Sequence, residues 1–298
     1  PKIWQPQRLP KAGDSVLISS RTSVRFDAKT TPVIRLIQVA GTLRFARERS
    51  TELNVCLLKV QAGNKCTERG FACDFNSLKS NGEPNAQPGK TLPTLEVGTQ
   101  QNPIPAAHTA RIRLHYSEGM DKKDAPALVC CSSRMELHGS PLERPWVKLG
   151  ATCQPGDAKI IVNENVSDWR VGDEIIVTAS KKVRNMGTYR DEEVGTEERI
   201  VKAIDGHSIT LDKPLRLEHS GEGEFRSEVA NLSRNVIVES ADPDGIRGHT
   251  MYHRHSKGGI SYARFAHLGK EGELGRYPIH FHLVGETMRG SAVLGAAV

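Results

Sequence analysis

PIHFHLVG, Pro278 to Gly285, sets two histidines either side of one phenylalanine. Side chains of an extended strand alternate between two faces, so Ile279, Phe281 and Leu283 share one and His280 and His282 the other. Similar short apolar segments lie around it: NVIVES from Asn235, GISYARFAHLG from Gly259 and GSAVLGAAV from Gly290. A recurrence every ~20 residues suits the coils of a parallel β-helix, in which each coil stacks on the last. In that arrangement the apolar three fill the coil interior and the two imidazoles point outward. The apolar GAAV at the end has no polar capping segment, so further C-terminal coils are expected beyond Val298.

Strand signals run back through the chain. SVLISS, PVIRLIQVAGTLRFA, NVCLLKVQAG, ARIRLHY, KIIVN, DEIIVTA and SITLDKPL are short, rich in β-branched residues and bounded by Gly, Pro, Asn or Asp. No window carries a helical apolar stripe, so the fold class is all-β. AGDSVLI, PGDAKII and VGDEIIV each place Gly-Asp ahead of a strand, at Asp14, Asp157 and Asp173. This predicts turns in which Gly takes a conformation closed to other residues and Asp bonds the nearby backbone. The polar segment 76–93 reads as a surface excursion. Asp191, Glu192, Glu193, Glu197 and Glu198 crowd together as a solvated acidic face.

The 298 residues are 37% hydrophobic, with 27 Gly and 16 Pro, as in a turn-rich globular protein. No apolar run is long enough to span a bilayer as a helix, and PKIWQPQRLP lacks the apolar core of a signal peptide. The net charge of +6 attracts polyanions. Of six cysteines, Cys66 and Cys73 fall within closing distance of one loop and are expected to pair. Cys130 and Cys131 are adjacent, so at most one faces the core. Sequons at Asn165 and Asn231 are glycosylation sites if the chain enters a eukaryotic secretory pathway.

The ordered series AGDSVLISSRTSVRFD, IQVAGTLRFA, TLEVGTQQNPIP, RIRLHY and MELHGSPLERPWVKL, preceded by Trp4, resembles the eight-glycine (G-eight) domain. That domain occurs in the cell-migration-inducing hyaluronan-binding protein, its transmembrane relative, fibrocystin-like proteins and bacterial secreted proteins. GHTMYH and LGRYPIHFHLVG resemble the first coils of the right-handed parallel β-helix that follows it in this family. The resemblance implies a G-eight domain over 1–150, a β-rich connecting region packed on it over 151–230, and β-helix coils over 231–298, truncated at the C-terminus. It also implies a secreted or cell-surface protein whose partner is an acidic polysaccharide such as hyaluronan and not a nucleic acid, with depolymerisation (hydrolase or lyase) or adhesion as its role.

Six of eleven histidines fall between His249 and His282. His249, His253, His255, His280 and His282 are candidate ligands for a divalent ion, zinc or calcium, because outward imidazoles two apart on a strand can share a metal. His280 and His282 are also candidate acid or base groups, with Glu273 as carboxylate partner and Arg276 as a clamp on substrate carboxylates. Arg247, Arg254 and Lys257 are candidate substrate-binding cations. Three readings stay open: a glycan-processing site, a metal-dependent enzyme, and a surface ladder of histidines that pins coil register within a binding module.

Overall fold

The structure, a computed structural model, describes residues 5–70, 92–180 and 195–298. The described residues form strands and turns, with a short 3-10 segment at Gly285–Met288 and no α-helix. They divide into two compact units: Pro1–Ser140 with Arg234–Ala296, and Pro141–Ser233.

The first unit repeats a coil of three short strands. One coil is Ala110–Leu114, Ala127–Cys131 and Arg134–His138; the next is Val236–Ser240, His249–His253 and Lys257–Ser261. A further coil is Ala263–Ala266, Phe281–His282 and Val293–Leu294. Each strand pairs in parallel with its counterpart in the neighbouring coil: Val236 with Ala110, His249 with Ala127, and Lys257 with Arg134. Thr51–Val60 serves two faces at once, its first half pairing with Ala110–Leu114 and its second with Ala127–Cys131. Below it lie Ile34–Val39 with Thr42–Phe45, then Ser15–Ile18 with Ser23–Phe26. The result is three stacked faces of parallel strands, a parallel β-helix.

Alternation explains which side chains face in. Along ARIRL, Ala110, Ile112 and Leu114 are buried in the core. Arg111 and Arg113 point out, each 2.7 Å from Glu239 Oε1 on the paired strand. The four apolar segments of the sequence fall on different faces: NVIVES on the first, PIHFHLVG on the second, and GISYARFAHLG split between third and first. The even spacing therefore mixes faces and is not the coil period. The cause is the very short turns between faces, such as the one between Ser261 and Ala263, which leave no punctuation in the sequence.

Two glycines permit the tight stacking. A Cβ at Gly41 would lie 2.2 Å from Thr22 O, and one at Gly139 would lie 2.1 Å from Tyr262 O, so any other residue pushes adjacent coils apart. Asn235 pins the same region from the side. Its Nδ2 donates to the carbonyls of Ile104, Pro105 and His108, each at 2.9 Å, and its Oδ1 accepts from Ser140 N at 2.8 Å. Asn235→Ala is expected to cost about 2–3 kcal/mol, because several backbone groups lose their partner together. Asn235→Asp, which cannot donate, should cost nearly as much in a denaturant titration; an unchanged midpoint for both would refute this role.

The second unit is an antiparallel sheet in the order Trp146–Lys148, Glu228–Asn231, Glu174–Val177, Glu197–Asp205, Ser208–Leu211, Lys159–Ile161. Val147, Ile160, Ile175, Val177, Val201, Ile209 and Val229 form its core with Trp169. Each Gly-Asp turn closes as expected. Gly13, Gly156 and Gly172 have φ of 79°, 100° and 94°. Asp14, Asp157 and Asp173 accept from the backbone N–H three residues earlier at 2.7, 2.7 and 2.8 Å.

Several expectations differ from the structure. Strands after Arg234 share sheets with strands before Ser140, so the β-helix includes the earlier residues and does not begin near 231. Cys66 carries a free thiol, so the Cys66–Cys73 bridge is not formed, and Cys73 lies outside the described residues. Cys131 is disulfide-bonded, while Cys130 is free and lies in the core. Segment 76–91 and Asp191, Glu192 and Glu193 also lie outside the described residues. Glu197, expected on a solvated face, is buried; its charge is satisfied by hydrogen bonds instead of water.

Candidate functional site

The histidines gather on the outer side of the second face. His253 pairs with His282 across adjacent coils, their ring centroids 5.1 Å apart, and His280 lies 5.1 Å from His282 along the chain. Phe281 lies on the inner side as expected, its ring stacked at 5.0 Å on Tyr252. Leu283 departs from expectation: its φ of 53° turns it out of the strand, and Val284 packs on the core in its place. His255 leaves the row because Arg254 and His255 both adopt positive φ, 39° and 42°, so the chain turns there.

Electrostatics keep three of these imidazoles neutral. Burial, reinforced by the charges of Lys270 and Arg276, pushes His249 down to about 3. Burial beside His282 and Arg254 pushes His253 down to about 4, and burial beside His280 lowers His282. Uncharged rings cannot clamp a carboxylate at neutral pH. Neutral imidazole can bind a metal, yet among the described residues no group of three or more His, Cys, Asp or Glu is placed to hold an ion.

The other residues predicted around this strand have structural partners. Arg276 Nε donates to Lys123 O at 2.8 Å, and its Nη2 lies 3.6 Å from Asp124 Oδ1, tying two loops together. It is not placed as a free substrate clamp. Glu273 pairs with Lys123 Nζ at 3.4 Å and not with a histidine. Arg247 Nε donates to Pro243 O at 2.6 Å. His280 Nδ1 donates to Gly275 O at 2.9 Å, which fixes its ring.

A better-formed site lies on the outer side of the third face. Here Lys257, Arg134 and Arg289 line a polar groove of about 360 Å³ whose floor is Gly258, Gly259 and Ser261. Gly258 is required by the fold, since its φ is 133° and a Cβ there would lie 1.8 Å from Met135 O. Within the groove, Arg134 Nη1 donates to Glu136 Oε1 at 2.9 Å, and His138 bonds both Glu136 and Ser261. Lys257 was legible as a candidate; Glu136, His138 and Ser261 were not. The signal for the first two was the alternation in RMELH, which puts Glu136 and His138 on one side of a strand. Ser261 becomes their neighbour only through pairing across the coil.

The first unit is thus a parallel β-helix, interrupted in the chain by an antiparallel sheet and carrying a polar groove on one outer face. Residues 3–150 match the G8 domain family and residues 245–298 the CEMIP beta-helix. The chain thus carries a G8 domain over 3–150 and a segment over 245–298 that matches that β-helix. It is 24% identical over 348 residues to Fibrocystin-L of Homo sapiens, which spans 99% of this chain and 7% of that protein. It is 31% identical over 172 residues to a G8 domain-containing protein of Dictyostelium discoideum, covering 55% of this chain and 12% of that one. Among solved structures it is similar to the tailspike gp49 of Pseudomonas phage LKA1, with a TM-score of 0.27 and 11% identity, covering 84% of this chain and 29% of that one. The chain thus spans only a small part of these curated relatives.

Proposed function

We propose that this protein binds an acidic polysaccharide, hyaluronan being one such chain, along the groove on the third face, and that it does so outside the cell. The observation that supports this is the combination of Arg134, Lys257 and Arg289 around a floor of two glycines and a serine hydroxyl. Cations hold sugar carboxylates, while an open floor of hydroxyl and backbone suits sugar hydroxyls. The net charge of +6 adds a long-range attraction that salt screens. In the histidine row, His253 and His282 are neutral at pH 7 and contribute shape more than charge.

The test is to incubate the full-length protein with a panel of glycosaminoglycans and other acidic polysaccharides, with and without chelator. Retention of the polymer and its chain length are both followed. Binding that weakens with added salt is expected. Shortening of the polymer would add a depolymerase activity, and its loss with chelator would make that activity metal-dependent. Absence of binding to every acidic polymer in the panel would contradict the proposal.

A further inference from the structure

Glu136, His138 and Ser261 meet in one line. Strand Arg134–His138 pairs with Lys257–Ser261 so that Glu136 stands opposite Gly259 and His138 opposite Ser261. Met135, Leu137 and Ile260 point into the core, which fixes the other three on the outer side. His138 Nε2 lies 2.8 Å from Glu136 Oε2, and its Nδ1 lies 2.7 Å from Ser261 Oγ.

The direction of these hydrogen bonds follows from the charge of Glu136. Burial raises its carboxyl, but hydrogen bonds from His138 and Arg134 outweigh that and hold it below the usual range. An ionised carboxylate has no proton to give, so in the neutral ring Nε2 carries the hydrogen and donates to it. Nδ1 is then the bare nitrogen, and the Ser261 hydroxyl donates to it. This is the arrangement that activates a serine: base adjacent to hydroxyl, ring held by a carboxylate. Gly259 keeps the place open. A Cβ there would stand 3.5 Å from His138 Cε1, an ordinary contact, so packing alone does not demand glycine at this position.

We propose that Ser261, His138 and Glu136 form an ester-hydrolysing triad in the third-face groove, acting on acyl esters of sugar hydroxyls. Ser261 Oγ attacks the ester carbonyl carbon while its proton passes to His138 Nδ1. The tetrahedral adduct collapses, the bond from carbonyl carbon to sugar oxygen breaks, and that oxygen takes the proton from Nδ1. Water, deprotonated by the same nitrogen, attacks the acyl-Ser261, and the serine recovers its hydrogen as the carboxylic acid leaves. Ester and water give alcohol and acid, with no other reactant. Ser261 and His138 are the catalytic residues; Glu136 is a positioning residue acting through the ring. That the ester is carried by an acidic polysaccharide rests on the binding reading above, but the chemistry of the three residues does not.

The test uses the full-length protein, a fluorophosphonate probe, p-nitrophenyl acetate and chemically O-acetylated hyaluronan. The expected result is probe on the peptide containing Ser261 and acetate release from both esters. Ser261→Ala should lower kcat/KM by about 10³-fold and Glu136→Gln by roughly 10²-fold or more, while Glu136→Asp restores most of the loss. Labelling of the unmodified protein does not depend on whether any variant folds. No label at Ser261 and no acetate release above buffer would overturn the triad. Ester cleavage lost in Ser261→Ala supports it, whereas Ser261-dependent cleavage of p-nitrophenyl acetate without polysaccharide binding would sink only the binding reading.

Discussion

Replacing Glu197 with alanine is expected to destabilise the antiparallel sheet unit by about 3–5 kcal/mol, the cost of removing one partner of a buried charged network. Glu197 is fully buried at the start of its strand. Its oxygens accept from Arg216 N and Leu217 N at 2.9 Å, from His219 Nε2 at 3.1 Å, and from the Arg199 guanidinium. Burial pushes its carboxyl up, but these donors together bring it down to about 2. A folded value below the unfolded one means that the unfolded chain binds the extra proton, so the stabilisation is present above about pH 4.5 and fades as pH falls toward 2. The contribution at neutral pH is of order 3 kcal/mol from that difference. Denaturant titrations at pH 7 and pH 3 on wild type and Glu197→Gln check it: the wild type should lose much more stability on acidification than the variant. Parallel losses in both proteins would contradict the assignment.

Tyr252→Ala should cost the β-helix unit about 3–5 kcal/mol, as expected for emptying a large, fully buried aromatic site. Tyr252 has no exposed surface, stands beside Cys130 in the stack and is covered by the Phe281 ring at 5.0 Å. Its hydroxyl donates to Met135 O at 3.0 Å, which ties the second face to the strand that carries Glu136 and His138. Tyr252→Phe separates the two contributions and should cost only about 1 kcal/mol beyond wild type, the net value of one hydrogen bond. Both are read as midpoint shifts in a denaturant titration of the full-length protein. Equal, small shifts for Ala and Phe would show that the ring is not part of the core.

The all-β character was legible because alternation and turn residues are local signals. Ala110, Ile112 and Leu114 announce their face in the sequence, and each Gly-Asp pair announces its turn. The three-faced coil was not legible, since one or two residues suffice to pass from one face to the next, as between Ser261 and Ala263. The inserted sheet hid it further by separating His138 from its stacking partner Ser261. Histidine enrichment drew the reading to His280 and His282, but enrichment says nothing of burial, which leaves His249, His253 and His282 with lowered proton affinity. Arg276 looked free until the loop at Lys123 and Asp124 supplied its partners. Glu197 looked solvated because its donors at Arg216, Leu217 and His219 come from a later segment.

Binding of an acidic polysaccharide is proposed for the groove holding Lys257 and Arg134. Its most direct measurement is the affinity of the full-length protein for defined hyaluronan oligosaccharides, compared with the Arg134→Ser, Lys257→Ser double variant. Each charge-assisted hydrogen bond is worth about 1.5–3 kcal/mol, so the double variant should bind at least about 100-fold more weakly while its melting temperature holds. Equal affinity in the two proteins would contradict the account.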